Sequence, residues 1–529
     1  MKLFLVLALL TLISCSRDVL PPTDVTYDVL IENARIIDGT GAPAFHGSVL
    51  VRDGLIAYAG PASLADYQAA HRIDAAGRVV APGFIDAHAH GNAEMNPVFR
   101  NFWSQGVTSI ALGMDGRSPG MDDLPAWMQR VEEARPGVNI IHFAGHGSAR
   151  EYAGLPLEQG AATDEQLDAL VQVIDSQLAA GSFGVSTGIE YIPGVFADRR
   201  ELARVAQTVA RYDGLVTSHV RSEDDDAVKA SVRELITMGA DGGARVNVSH
   251  IKIVYANDTS EAEGVLAVMD SARAAGVEIT ADVYPYTASY TGIGILYPDW
   301  ALPPNNFEEV RQEQRVELAG YLRNRVNRRN GPEATLLGTA PWSGRTLAEI
   351  ADSLDKPFEE VLIDHIPPGS ASAAYFVMNL DVMRRFLTDP MVSVSSDGSP
   401  TMLHPRGYGS FSRIIRQFVQ EEGTLSLEEA VYKMSLMTAE IMRLDRRRDG
   451  EALAGGEPLT DIRYAPRGAL REGFAADIVV FNPENVQDTA TFERPHQFAL
   501  GMDYVMVNGI LVQQDGVPTE ERPGLVLRR

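Results

Sequence analysis

Cysteine is nearly absent from this sequence: one residue, Cys15, in 529. Downstream of it there is no thiol, which excludes disulfides within that stretch and any cysteine nucleophile. Basic residues are scarce relative to acids: 46 Lys and Arg stand against 71 Asp and Glu, a formal net charge of −25. No basic block offsets this, so nucleic acid and anionic lipid are poor partners. Aromatics make up 7% and show no cofactor-like arrangement. No Gly-rich phosphate loop of the P-loop or dinucleotide type occurs. The longest apolar run, LFLVLALLTLIS, lies at the start and is shorter than the roughly 20 residues a membrane span needs.

That run follows Met1 and Lys2 and ends at Leu12-Ile13-Ser14-Cys15. A short positive start, an apolar run and small residues read as a secretory signal. The last four residues resemble the lipobox of bacterial lipoproteins, in which the Cys becomes the lipidated first residue. The expectation is a signal and lipidated Cys over 1–15, then a tether over 16–26. Ser16 is not the Asp that resembles an inner-membrane retention signal. The expected location is the bacterial cell envelope, lipid-anchored at the outer membrane and facing the periplasm. The lipid is the only expected contact with a membrane.

Composition is otherwise ordinary, with 45% apolar and 22% charged residues, as in a globular protein. Length alone suggests three or four domains, or one large barrel with additions. Short strands punctuated by Gly, Asn and Asp fill 27–80. Apolar runs of strand length then alternate with helical stretches: VVAPGFIDAHAH, VTSIALGMD, VNIIHFAGHG, FGVSTGIE, LVTSHV, RVNVSHI, EITADVYPY and VSVSSD. Eight such units indicate an α/β fold with a parallel (β/α)₈ barrel, expected over 81–450. The interval between the seventh and eighth runs is too long for one helix. It is expected to hold an insertion over about 289–391, with two helical segments, acting as a lid over the barrel mouth. Strands return in 451–529 and are expected to complete a small β-sandwich begun by 27–80.

In a barrel of this kind chemistry sits at the C-terminal strand ends. The first run ends in His88-Ala89-His90, the fifth at His219, the sixth at His250 and the eighth at Asp397. Residues i and i+2 of a strand share a face. Imidazoles joined by a carboxylate form a donor set for zinc and similar ions. One or two divalent metal ions are therefore expected. His146 closes the third run and reads as a structural hydrogen-bonding residue.

GFIDAHAH, SHVRSE, VSHIKI, ADVYPYTAS, SSDG and HPRGYGSF resemble the amidohydrolase superfamily, and within it the N-acyl-D-amino-acid deacylases (D-aminoacylases). The resemblance spans nearly the whole chain after the signal. It implies that His88, His90 and Asp397 hold one metal and that His219 and His250 hold another. A bridging anion is then needed. In the family a Cys after strand two takes this role, but here that segment reads Gly113-Met114-Asp115-Gly116. Glu190, at the end of the fourth run, and Asp115 both remain candidates, with Glu190 preferred. The resemblance further implies that Asp397 is the catalytic acid and base. It implies that Lys252, Tyr284 and Arg406 anchor the substrate carboxylate, and that Arg221 and Glu223 orient the ligand imidazoles. The implied activity is hydrolysis of the amide of N-acyl-D-amino acids to a carboxylate and a free D-amino acid. Two alternatives stay open: a dipeptidase acting on D-residue-containing or β-linked dipeptides, and a non-catalytic envelope binding lipoprotein. The expected partner is a small N-acyl amino acid or peptide, with no nucleic acid.

Overall fold

The computed structural model describes residues 20–446 and 461–529. The signal and Cys15 lie outside the described residues. Among the described residues no helix is long and apolar enough to cross a membrane.

Eight short strands form the centre: β1 (Phe84–Asp86), β2 (Val107–Leu112), β3 (Asn139–His142, resuming at Ala144–Gly145), β4 (Gly184–Gly188), β5 (Leu215–His219), β6 (Arg245–Val248), β7 (Ile279–Val283) and β8 (Val392–Val394). Every neighbouring pair from β1 to β8 is parallel. β3 is interrupted at Phe143, so its first part pairs with β2 and its second with β4. The ring closes beyond the strand ends through a parallel bridge between Ala89 and Gly398. There the His90 N–H donates to Gly398 O (2.7 Å) and the Asp397 N–H to His88 O (2.8 Å). Nearly every residue of these strands is buried, because side chains fill the barrel on one face and helices cover the other. That is why the strands read as continuous apolar runs.

The covering helices are amphipathic and capped. Asp164–Ala179 starts with a capping box between Thr163 and Gln166, and Arg199–Ala210 with an Asp198 cap. Leu202, Val205, Ala206 and Val209 line the buried face of the latter, the spacing expected of a helix on a sheet.

Strands from both ends of the chain share one nine-stranded sheet. Thr26–Ile36 pairs in parallel with both Gln68–Asp74 and Val79–Pro82, so the sheet forks there. Ile478–Phe481 continues it on the far side of Val79–Pro82. The sequence suggested a small sandwich; hydrogen bonding joins these strands in a single sheet.

The segment after β7 carries an antiparallel sheet of three strands, Ser289–Gly292, Thr335–Leu337 and Ser372–Tyr375. It also carries four α-helices, Phe307–Glu313, Arg315–Arg328, Leu347–Leu354 and Phe358–His365, where the sequence suggested two. Leu296, Leu318, Leu322, Leu347, Val361 and Tyr375 give it a core of its own. Helix Leu380–Leu387 falls within 289–391 but belongs to the barrel, since Val382, Met383, Phe386 and Leu387 join the barrel core.

Candidate metal centre and substrate cavity

His88, His90, His219, His250 and Asp397 arrive at one end of the barrel, each at or just past a strand terminus. Buried carboxylates fix the turns that present them. Asp86, fully buried in β1, accepts the N–H groups of His88 (3.1 Å) and Ser396 (2.9 Å). Burial pushes its pKa up to about 7. Asp282 of β7 accepts the His250 N–H (2.9 Å). Asp115, His250 and Asp397 all have positive φ (53°, 37° and 48°), a sparsely populated conformation for a side-chain-bearing residue that costs about 1–3 kcal/mol and recurs at functional sites.

Asp115 lies in the middle of this group. Its Oδ1 is 3.3 Å from His88 Nε2, 3.3 Å from His250 Nε2 and 3.8 Å from His219 Nδ1, and its Oδ2 is 3.4 Å from His90 Nε2. The Gly113-Met114-Asp115-Gly116 turn is held tightly. A Cβ on Gly113 (φ +87°) would sit 2.0 Å from Phe143 O, and one on Gly188 would sit 2.2 Å from Asp115 O. Glu190 is placed differently. It accepts from His219 Nε2 (2.7 Å), the ring edge opposite the nitrogen that faces Asp115. The two candidates for the bridge thus differ in reach: Asp115 lies within 3.8 Å of all four imidazoles, whereas Glu190 bonds one.

Three overlapping groups of donors result: His88, His90, Asp115 and Asp397; Asp115, His219 and His250; Glu190, His219 and Glu223. Within each, the donor atoms lie within 4.8 Å of one another. The first two share Asp115. His88 is fully buried, and neither of its ring nitrogens makes a hydrogen bond among the described residues. Buried polar atoms are rarely left so, and a cation facing Nε2 would satisfy one of them. Nitrogen and carboxylate donors at this density suit zinc.

The electrostatics agree. Burial opposes a charge on His90, but its hydrogen bonds to Asp115 and Asp397 outweigh that and lift its pKa to about 9. Burial and Lys252 both oppose charge on His250, yet Asp397 and Asp115 raise it to about 10. Burial would raise Asp397, but Arg406 and His250 hold it well below the usual carboxylate range. Protons held this way are ones a metal ion displaces on binding.

Lys252, Tyr284 and Arg406 cluster beside the donors. Lys252 Nζ and the Arg406 guanidinium lie 5.5 and 4.7 Å from the Tyr284 ring centre. Lys252 also donates to Glu223 Oε1 (2.6 Å), which lies 3.2 Å from His250 Nδ1. Arg406 Nη1 is 2.9 Å from Asp397 Oδ2, a charge contact without hydrogen-bond alignment. Its buried Nε and Nη1 make no hydrogen bond among the described residues. A cavity of about 760 Å³ opens onto His90, Asp115, His250, Lys252, Asp397 and Arg406 together.

No family model matches the chain. An N-acyl-D-glutamate deacylase of Alcaligenes xylosoxydans xylosoxydans is 33% identical over 527 residues, covering 95% of this chain and 96% of that protein. The chain belongs to the N-acyl-D-amino-acid deacylase family. A D-aminoacylase of the same organism is 30% identical over 535 residues, covering 95% of this chain and 98% of its own. Among solved structures, an N-acyl-D-glutamate deacylase from Bordetella bronchiseptica, complexed with zinc and a phosphonate mimic of the tetrahedral intermediate, matches with a TM-score of 0.79. It is 31% identical, covering 96% of this chain and 100% of that one.

Several residues of this deacylase-family site were not singled out from sequence, or were given a different role. Asp86 and Asp282 are polar residues inside strand runs, and that interruption was their signal. His404 accepts the Arg406 N–H at Nδ1 (3.0 Å) and donates to Ala288 O from Nε2 (3.1 Å), so as a neutral ring it seats the arginine. Glu223 reaches His250, as expected. Arg221 does not touch an imidazole: it pairs with Glu234 and donates to the carbonyls of Val195 and Ala197. His146 bonds to buried Glu201 (2.7 Å).

Proposed function

We propose that the protein is a zinc-dependent hydrolase that splits the amide bond of N-acyl-D-amino acids into a carboxylate and a free D-amino acid. The observation that carries this reading is Arg406, a buried guanidinium with two unbonded donor atoms, which lines with Lys252 the cavity that holds the imidazole–carboxylate cluster, both cations lying against the Tyr284 ring. A carboxylate accepts two parallel N–H bonds from such a group, which sets the amide against the cluster. On this reading His88, His90 and Asp397 would hold one ion and His219 and His250 the other, with Asp115 within reach of both groups. The chemistry such an ion would supply is a Lewis acid for the amide carbonyl and a water whose pKa falls from about 15.7 to near 7. Asp397 takes up the proton of the attacking water and delivers it to the leaving nitrogen, which departs poorly unless protonated. Glu190 and Glu223 orient the rings of His219 and His250.

The insertion supplies Tyr290, Thr291, Ile295 and Arg329 to the cavity wall, which supports its reading as a lid. With carboxylate and carbonyl both held, the α-carbon side chain has one open direction, so one enantiomer fits. The names of the relatives support D. The dipeptidase and the non-catalytic binder are not favoured, because the relatives that span the chain are deacylases.

The test is the carboxylate. N-acetyl-D-amino acids should be hydrolysed with a kcat/KM at least ~10-fold above that of their primary amides, the scale of a lost charged hydrogen bond. Arg406→Met should raise KM by a similar factor and narrow the D-over-L preference. Equal rates on acid and amide would overturn the reading. We also propose lipid anchoring at Cys15, supported by the lipobox-like sequence. Cys15→Ala should move the protein from the membrane fraction to the soluble one or leave it unprocessed. Unchanged fractionation and processing would count against the anchor.

A further inference from the structure

The strands Ile478–Phe481 and Met502–Val507 pair directly in the nine-stranded sheet, yet the chain between them leaves the sheet. A hairpin connection needs only about two to five residues, and longer ordered loops are mostly functional. This one is closed at its base, where the N–H groups of Gln487 and Leu500 each donate to the other's carbonyl (3.0 Å). Within it Thr489 Oγ1 donates to Phe498 O (2.8 Å).

The contacts of this loop fall on the stretch of chain that carries Arg406. Asp488, whose side chain is 2% exposed, pairs with Arg416 and lies 3.6 Å from Arg413. Those arginines belong to the helix Arg406–Arg413 and its continuation Ile414–Glu421. Gly409 lets Asp488 close on that helix, since a Cβ there would lie 3.0 Å from Asp488 Cβ. Phe492 sets its ring edge-on to His404 (4.8 Å between ring centres) and against Phe376 of the insertion (4.7 Å). His496 Nε2 donates to Met402 O (2.8 Å), and the rings of His496 and Phe498 lie 5.1 and 5.6 Å from Tyr408. The loop therefore grips the chain on both sides of Arg406.

A guanidinium binds a carboxylate through a directional fork, so its grip depends on where its backbone and supporting side chains are held. The Arg406 N–H donates to His404 Nδ1, and His404 Nε2 donates to Ala288 O. Phe492 packs that same ring against the insertion. We propose that the loop 487–500 positions Arg406 for the α-carboxylate of the substrate, with Phe492 acting through His404 and Asp488 through the helix that Arg406 begins. Both are positioning residues, and neither lines the cavity. The inference rests on the deacylase reading above, in which Arg406 grips that carboxylate.

The experiment offers the zinc-loaded full chain N-acetyl-D-leucine, N-acetyl-D-glutamate and N-acetyl-D-aspartate, and carries the best of them forward with its α-amide. Phe492→Ala should raise KM for the acid by about 3- to 10-fold, at most the factor expected for losing a charged hydrogen bond. Its kcat should stay within about twofold, as when binding shared by ground and transition state is lost. The amide, which lacks the charge that Arg406 grips, should change little, so the preference for acid over amide narrows. Metal content should equal that of the wild type. Phe492→Leu, which still fills the space between His404 and Phe376, should keep most of the wild-type behaviour. In an Arg406→Met background Phe492→Ala should add less than about twofold, because a residue acting through Arg406 then has nothing to position. Asp488→Asn should repeat the pattern, and it decides the matter if Phe492→Ala does not fold. Loss of kcat on acid and amide alike, or an effect undiminished by Arg406→Met, makes the loop structural only and overturns the proposal while the deacylase reading stands. No turnover of any of the three acids by the wild type overturns the deacylase reading and the proposal with it.

Discussion

Asp397→Asn is expected to lower kcat by ~10²–10⁴-fold, the usual cost of losing general acid–base catalysis, while the protein keeps most of its metal. Asparagine still offers an oxygen toward His88 and His90, whose Nε2 atoms lie 3.8 and 3.1 Å from Asp397 Oδ1. It still offers an acceptor to Arg406. It cannot take up a proton at neutral pH. Steady-state kinetics and metal content measured on one preparation separate the two effects. Near-normal turnover would remove Asp397 from the chemistry, and equal loss of metal and activity would make it a ligand only.

Asp115→Ala is expected to abolish binding of at least one metal ion per chain, whereas Glu190→Gln should weaken affinity only about 10- to 100-fold, as changes behind a ligand do. Asp115 faces nitrogens of all four histidines; Glu190 bonds the far edge of His219 alone. Glutamine at 190 can still accept that hydrogen bond. Metal content after identical dialysis checks this. Retention by Asp115→Ala with loss from Glu190→Gln would restore Glu190 as the bridge.

The contrast between these two acids shows how far the sequence could be read. It placed both at strand ends, because apolar runs and their termini mark the barrel mouth. It carried no information on which edge of the His219 ring each would meet. That depends on the turn at 113–116, where Gly113 and Gly116 have positive φ and fold the chain back over the strand ends. The histidines at 88, 90, 219 and 250 were legible because each closes an apolar run. Lys252, Tyr284 and Arg406 were legible through motif resemblance, and their convergence on the Tyr284 ring is a tertiary fact. The three-stranded sheet of the insertion was not legible. Its strands are three or four residues long, too short for a period-2 pattern to emerge. Arg329 gave no signal either, since it follows directly on a helix carrying Arg323, Arg325 and Arg328 and looks like one more solvated charge.

The central claim is metal-dependent hydrolysis confined to the D series. The most direct measurement is release of free amino acid from N-acetyl-D- and N-acetyl-L-amino acids by purified zinc-loaded protein, repeated after chelation and after zinc is restored. The expected result is turnover of the D substrates only, lost on chelation and regained with zinc. Equal turnover of both enantiomers, or turnover that survives chelation, would contradict it.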